Sequence, residues 1–231
     1  MIDFSKFEKK TKVSFKDKGL LKQAFVHRSY LNENPNLGID HNERLEFLGD
    51  AVLELSVTDY LYKKYPDKTE GDLTSYRAAL VNSDTISEAA SKLGMNDYLL
   101  LSKGEAKDVG KARQYILANV FESFVGALYL DQGYDAADEF IASCLFGKID
   151  TIIKKGLFKD SKSLIQEKAQ EHAGVTPSYR VIKEFGPDHD KMFTVGIYFG
   201  DELIAEGGGK SKQEAEQKAA HAALSKKRWS K

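Results

Sequence analysis

His41-Asn42-Glu43-Arg44-Leu45-Glu46-Phe47-Leu48-Gly49-Asp50-Ala51-Val52-Leu53 decides how the rest of the chain is read. As an α-helix this stretch places Glu43, Glu46 and Asp50 at i, i+3 and i+7, on one stripe. Leu45, Leu48 and Val52 fall on roughly the opposite side, and Phe47 and Leu53 border the acidic stripe. A solvated acidic face is bordered by Lys, Gln or Ser. Core-forming neighbours predict instead that the carboxylates look into a partly enclosed space. Stacked carboxylates repel one another, and burial raises their pKa further. A hard divalent cation relieves both effects. Mg2+ takes oxygen ligands and keeps several waters, so it suits a few carboxylates with one open side. The same three acids also fit a plain acidic surface helix, so the choice falls to the rest of the chain.

Ile116 to Leu130 supplies the second half of the argument. It reads Ile-Leu-Ala-Asn-Val-Phe-Glu-Ser-Phe-Val-Gly-Ala-Leu-Tyr-Leu, a strongly apolar helix. Asn119 and Glu122 are its only strong ligand types, three apart on one face. A carboxylate in such surroundings needs a partner. Glu46, Asp50, Asn119 and Glu122 are therefore expected to converge on one metal site.

At 231 residues the chain suits one large domain or two smaller ones. Its formal net charge of −1 rules out a uniformly basic nucleic-acid binder. The charge is unevenly spread, however. Asp40, Glu43, Glu46, Asp50, Glu54 and Asp59 cluster around Arg44, while Lys210, Lys212, Lys218, Lys226, Lys227, Arg228 and Lys231 crowd the C-terminus. A local basic surface binds phosphate even when the total charge is near zero. Cys144 is the only cysteine, which excludes an internal disulfide and a cysteine-rich zinc site. The N-terminus lacks an apolar signal core, and no stretch approaches the ~18 to 20 apolar residues of a membrane span. The expectation is a soluble, cytosolic protein.

Residues 1 to 31 read as helical, with Phe4, Phe7, Leu20, Leu21, Ala24 and Phe25 at helical spacing. His27 beside that face reads as a packing or hydrogen-bonding residue. Asn32 to Asp40 is a loop, and the acidic helix runs on through Tyr62 until Tyr65-Pro66 breaks it. Thr69 or Asp72 opens the next helix. Ser83 to Leu93 is another helix, ended by Gly94. Leu99 to Arg113 reads as a polar loop or short helix, and Asp135 to Ile153 as one last helix. After a Lys- and Gly-bearing linker the character changes: a helix over Ser163–His172, strands at 178–184, 193–199 and 202–205, and a helix over Lys212–Lys226. Gly207-Gly208-Gly209 is read as the lead into that helix. The order is α-β-β-β-α.

Asn42 to Leu53 resembles the signature of the ribonuclease III family, and Ile116 to Asp131 is similar to that family's second acidic helix. Residues 160 to 229 resemble a double-stranded-RNA-binding domain. The resemblance spans nearly the whole chain. It implies an all-α catalytic domain over 3–153, with its signature core in 3–133, a linker over 154–159, and a small α+β domain over 160–229. It further implies a homodimer that cleaves double-stranded RNA with Mg2+, or Mn2+ in its place, leaving 5′-phosphate and 3′-hydroxyl ends. Ribosomal-RNA precursors are the expected substrates, with some mRNAs and tRNAs. By the same resemblance Glu46 and Glu122 are metal ligands, and Asp50 is the acid closest to the chemistry. Glu43 and Glu70 are supporting acids, and Phe47 is an aromatic knob for a socket on a second subunit. Gln166 and Gln170 are expected to reach ribose hydroxyls, His189 to enter the next minor groove, and Lys210, Ser211 and Lys212 to meet phosphates at a helix N-terminus.

One position departs from the family pattern, which has Asp where this chain has Asn119. The amide keeps an oxygen that can ligate a cation or bind its water, but loses a full negative charge. Two functions stay open on these residues: a Mg2+-dependent double-strand endoribonuclease, and a duplex-binding regulator with weakened or absent cleavage. The C-terminal pattern argues against a third, a purely structural helical dimer.

Overall fold

The computed structural model describes residues 2–154, 161–187 and 191–229. The chain separates into two compact units, Met1–Phe158 and Lys159–Lys231.

The first unit is helical. The expected helical stretch at the N-terminus is cut into α1 (Ser5–Thr11), α2 (Lys18–Ala24) and α3 (Arg28–Glu33). Caps explain the cuts. Lys12 ends α1 in a left-handed conformation, the Asp17 carboxylate accepts the N–H groups of Gly19 and Leu20, and the His27 ring accepts that of Ser29. His27 is thus a hydrogen-bonding residue.

The acidic helix is α4 (Glu43–Lys64), stopped by Tyr65-Pro66. A reciprocal cap opens α5 (Glu70–Leu80). Thr69 Oγ1 accepts the Asp72 N–H at 3.2 Å, and the Asp72 carboxylate accepts the Thr69 N–H at 3.3 Å. Thr69 is therefore the N-cap and Asp72 its reciprocal partner. Asn82 caps α6 (Ser83–Leu93), which stops at Gly94 with φ 75°.

The apolar helix α7 (Lys111–Gln132) begins five residues before the point that hydrophobic periodicity marks. Its first turn is exposed, so it carries no apolar signal. Arg113 anchors it by donating to the carbonyls of Glu105, Ala106 and Asp108. The last predicted helix is in fact two, α8 (Tyr134–Leu145) and α9 (Ile149–Lys154). A 3-10 turn at Phe146–Lys148 separates them. In that turn Phe146 stacks on Tyr60 with ring centroids 3.8 Å apart, and Lys148 bonds Glu88 at 2.8 Å.

The core is built around α7. Leu117, Val120, Phe121, Phe124, Val125 and Leu128 are buried on it, against Leu53, Val57 and Leu61 of α4. Burial on most sides accounts for its near-continuous apolar sequence.

The second unit has α10 (Ser161–Ala173), an antiparallel sheet β1 (Ser178–Phe185), β2 (Met192–Phe199), β3 (Glu202–Gly209) in that order, and α11 (Lys212–Lys227). Ile165, Ile197, Ile204, Ala219, Ala220, Ala223 and Leu224 form its core between the helices and one sheet face. The three glycines at 207–209 belong to β3 rather than to a helix lead-in, because α11 lies directly on the strand. A Cβ on Gly207 would strike Ala219 N and Ala215 O and stand 2.8 Å from Lys218 C.

Candidate active site

Two glycines set the geometry of the α4–α7 crossing. A Cβ on Gly49 would strike the Glu122 carbonyl oxygen and stand 2.7 Å from Gly126 N. A Cβ on Gly126 would strike Leu45 O and stand 3.0 Å from Gly49 N. The two backbones therefore touch, and side chains one turn either side of the crossing are brought together. Asn42, buried just ahead of α4, fixes the register. Its Nδ2 donates to Ala24 O at 3.2 Å, and its N–H donates to Val26 O at 2.9 Å. Ser123 Oγ, buried on α7, donates to Asn119 O at 2.7 Å and lies 3.4 Å from Asn42 O.

At this crossing Glu46, Asp50 and Glu122 act on one another electrically. Burial, then the charges of Asp50 and Glu46, push the Glu122 carboxyl up to about 8. Burial, then Glu43 and Asp50, raise Glu46. Asp50 is exposed. Asn119 lies half-buried one turn before Glu122 on α7. Among the described residues no three His, Cys, Asp or Glu side chains already enclose a common point at ligand distance. The carboxylates are grouped within electrostatic reach of one another.

The other predicted acids lie further out. Glu43 is paired at its two oxygens with Arg28 (3.6 Å) and His41 (3.7 Å). Glu70 is exposed in the first turn of α5, accepts the Thr74 hydroxyl at 3.0 Å, and lines a cavity of about 420 Å3 with Thr58, Leu61, Tyr62, Leu73 and Arg77. Thr58 is eight residues beyond Asp50, roughly 12 Å along the helix axis, and Glu70 is not among the charges that act on Glu46 or Glu122. Within one chain Glu70 is not part of the cluster. Phe47 is 83% exposed. The expectation of core-formers on both borders of the acidic stripe holds at Leu53 and fails at Phe47.

In the second unit Gln166 and Gln170 stand exposed, one turn apart on α10, beside a depression also lined by Ser163, Glu167 and Thr176. Ser211 is the N-cap of α11, its Oγ accepting the Glu214 N–H at 3.1 Å, and the Glu214 carboxylate accepts the Lys210 N–H at 2.8 Å. The Ser211 hydroxyl is thus engaged within the cap. Lys212 Nζ lies 3.4 Å from Glu184. His189, most of the linker at 154–159 and residue 160 lie outside the described residues.

Sequence reading missed Gly49, Gly126, Asn42 and Ser123, which position the carboxylates. The signal was present in the glycines. An interior helical Gly costs about 1 kcal/mol relative to Ala, so one in each of two helices marks a place where backbones must approach.

The family model described as Ribonuclease-III-like matches residues 17–149, and that of the double-stranded RNA binding motif matches residues 161–227. The chain is 46% identical over 220 residues to Ribonuclease 3 of Borreliella burgdorferi, covering 95% of this chain and 89% of that protein. It is 48% identical over 215 residues to Ribonuclease 3 of Enterococcus faecalis, covering 92% of each. A solved nuclease domain of ribonuclease III from Campylobacter jejuni is 38% identical, with TM-score 0.55 over 62% of this chain and 98% of that one. That structure is described as showing flexibility in the region involved in dimer formation. The matches cover both the crossing that groups the acids and the unit that carries the exposed glutamines, and on them the chain belongs to the ribonuclease III family.

Proposed function

We propose that Glu46, Asp50 and Glu122, with the Asn119 amide oxygen, hold Mg2+ or Mn2+ at the α4–α7 crossing, and that the chain hydrolyses double-stranded RNA there. The family makes it a double-strand endoribonuclease. The observation that carries the site is the close α4–α7 crossing at Gly49 and Gly126, which sets the partly buried Glu122 within reach of Glu46 and Asp50, whose charges and burial push its carboxyl up. Hard oxygen donors around an electrostatically strained acid fit a hard divalent cation. One or two cations bound there would supply Lewis-acid polarisation of the phosphate and an activated water. On cation binding Glu122 gives up its proton, and the effects of burial, Glu43 and Asp50 on Glu46 are offset. Asp50, the exposed member of the set, orients the attacking water in line with the leaving 3′-oxygen. Products carry 5′-phosphate and 3′-hydroxyl ends. Gln166 and Gln170 hold ribose hydroxyls in the minor groove while the basic start of α11 meets the backbone.

The functional unit is a homodimer. Phe47, Ala51, Leu55, Thr58 and Tyr62 follow one another at helical spacing on one face of α4, with Phe47 83%, Leu55 57% and Tyr62 72% exposed. An exposed apolar stripe of this kind marks a contact surface. The cavity beside Glu70 offers Leu73, over the buried Leu61, to an incoming ring, and pairing of two copies brings Glu70 towards the other chain's site. Among the described residues no helix is long and apolar enough to cross a membrane. We place the enzyme in the cytoplasm, acting on ribosomal-RNA precursors and on some mRNAs and tRNAs.

Incubating the full chain with a long RNA duplex and Mg2+ tests this reading. Short duplex products with 5′-phosphates are expected. A gel shift without products would favour a binding-only protein, a reading that rests on the neutral amide at Asn119 alone.

A further inference from the structure

The chain's single tryptophan, Trp229, lies two residues past the end of the double-stranded RNA binding motif match at 227. Its ring stacks with two others. The His172 ring lies with its centroid 5.0 Å away and its plane inclined by 29°, and the Phe199 ring at 6.0 Å and 14°. Arg228 makes the placement possible by taking the left-handed conformation at the end of α11, with φ 58°. Trp229 N–H then donates back to Leu224 O at 2.9 Å, the closing bond of a helix C-terminus. Lys227 extends the stack, its ammonium 5.5 Å from the Phe199 ring. The three rings come from three elements: the last turn of α10, the end of β2, and the chain after α11.

The position of His172 gives the stack its meaning. It lies two residues beyond Gln170 and six beyond Gln166 on α10. Ile165 and, nearer the C-terminal end, Ala169 anchor α10 in the core of the unit, so only its last turn is left without a buried residue. At its C-terminal end Gln170, Glu171, His172 and Ala173 are all exposed, and the ring contact to Trp229 ties that end to the sheet. We propose that Trp229 is a positioning residue for duplex RNA: by linking His172 to Phe199 through its own ring it fixes the pitch of α10 and so the placement of Gln166 and Gln170. The inference rests on the reading that these two glutamines contact the duplex.

The test uses the full chain, with duplex affinity measured in Ca2+ and turnover in Mg2+. His172→Ala removes one ring at an exposed position and leaves the core of the unit untouched. It should weaken duplex binding by roughly three- to ten-fold, the weight of one aromatic pair. Turnover at saturating RNA should stay the same, so that KM moves and kcat does not. His172→Phe, which keeps a ring, should restore affinity, and Trp229→Phe should do so better than Trp229→Leu. Because the chain holds one tryptophan, its emission reports this stack alone, and His172→Ala should change it. In a Gln166→Ala, Gln170→Ala background, His172→Ala should cost nothing further. An equal loss in that background, an unchanged emission, or normal affinity in both His172→Ala and Trp229→Leu would overturn the clamp. Normal binding by the double glutamine variant would instead overturn the contact reading beneath it.

Discussion

Gly49 and Glu122 meet backbone to backbone, so closely that a methyl group on Gly49 has no room beside the Glu122 carbonyl. The missing side chain on one helix is thus what brings the carboxylate of the other into range of Glu46 and Asp50. Gly49→Ala should destabilise the nuclease unit by about 1 to 3 kcal/mol, the usual cost of overpacking. It should cut cleavage further than that loss explains, because the acids are pushed apart. Gly147→Ala, where a Cβ would meet nothing within 4 Å, is the control. Thermal unfolding and initial rates on one duplex check both variants.

The Glu122 carboxyl gives the metal-free protein a pH signature. Its pKa is about 8 when folded and near 4.5 in the free chain. Between those values the native state binds more protons than the unfolded one, so stability falls as pH rises. The favourable contribution is complete below pH ~4.5 and lost as pH passes ~8, a change on the order of 3 kcal/mol after allowing for partial hydration. Glu122→Gln should flatten the slope, raise the melting temperature of the metal-free protein at pH 8.5 and nearly abolish cleavage, while duplex binding stays within a few-fold. Melting curves in EDTA from pH 5 to 9 decide it. A slope that survives the substitution would show that other groups produce it.

Asn119 stands one turn before Glu122 on the same helix. If its amide oxygen is a ligand, Asn119→Asp restores a full charge to the shell. An added charge in a partly screened site is worth on the order of 1 to 4 kcal/mol, offset in part by repulsion from Glu46 and Glu122. The Mg2+ concentration for half-maximal cleavage should fall roughly ten-fold, with duplex affinity in Ca2+ hardly changed. Superimposable Mg2+ titrations of the two proteins would remove Asn119 from the shell.

Phe47 is exposed enough that the chain's own core does not depend on it. Phe47→Ala should leave the fold within about 0.5 kcal/mol of the parent when compared as monomers. It should shift the dimer towards monomer in sedimentation equilibrium and lower activity in proportion. A dimer that survives Phe47→Ala together with Leu55→Ala would place the interface elsewhere.

The helices and the acidic stripe were legible because they rest on local patterns: 3.6-residue periodicity, Pro66, Gly94 and the cap at Thr69. What escaped was non-local. The exposed first turn of α7 has no apolar period, so its start was placed late. The turn at Phe146–Lys148 depends on Tyr60 and Glu88, far away in sequence. The glycines of β3 read as the lead into a helix because only the approach of α11 explains them as strand. From local spacing Phe47 reads as a core residue, because a ring at helical spacing looks the same buried or exposed, and only the family resemblance reads it as a knob for a second subunit. Among the acids, Glu46 and Glu122 carried their own signal through apolar neighbours. Glu70 did not, and one chain alone keeps it apart from the cluster.

The central claim is that the α4–α7 crossing holds the metal. Anomalous diffraction from crystals of the duplex-bound protein grown with Mn2+ tests it most directly. The account predicts a peak bound by oxygens of both Glu46 and Glu122, at about the 2.0 to 2.2 Å expected of such a cation, with Asp50 or its water alongside. A Mn2+ peak at full occupancy elsewhere, with Glu46 and Glu122 unligated, would contradict it.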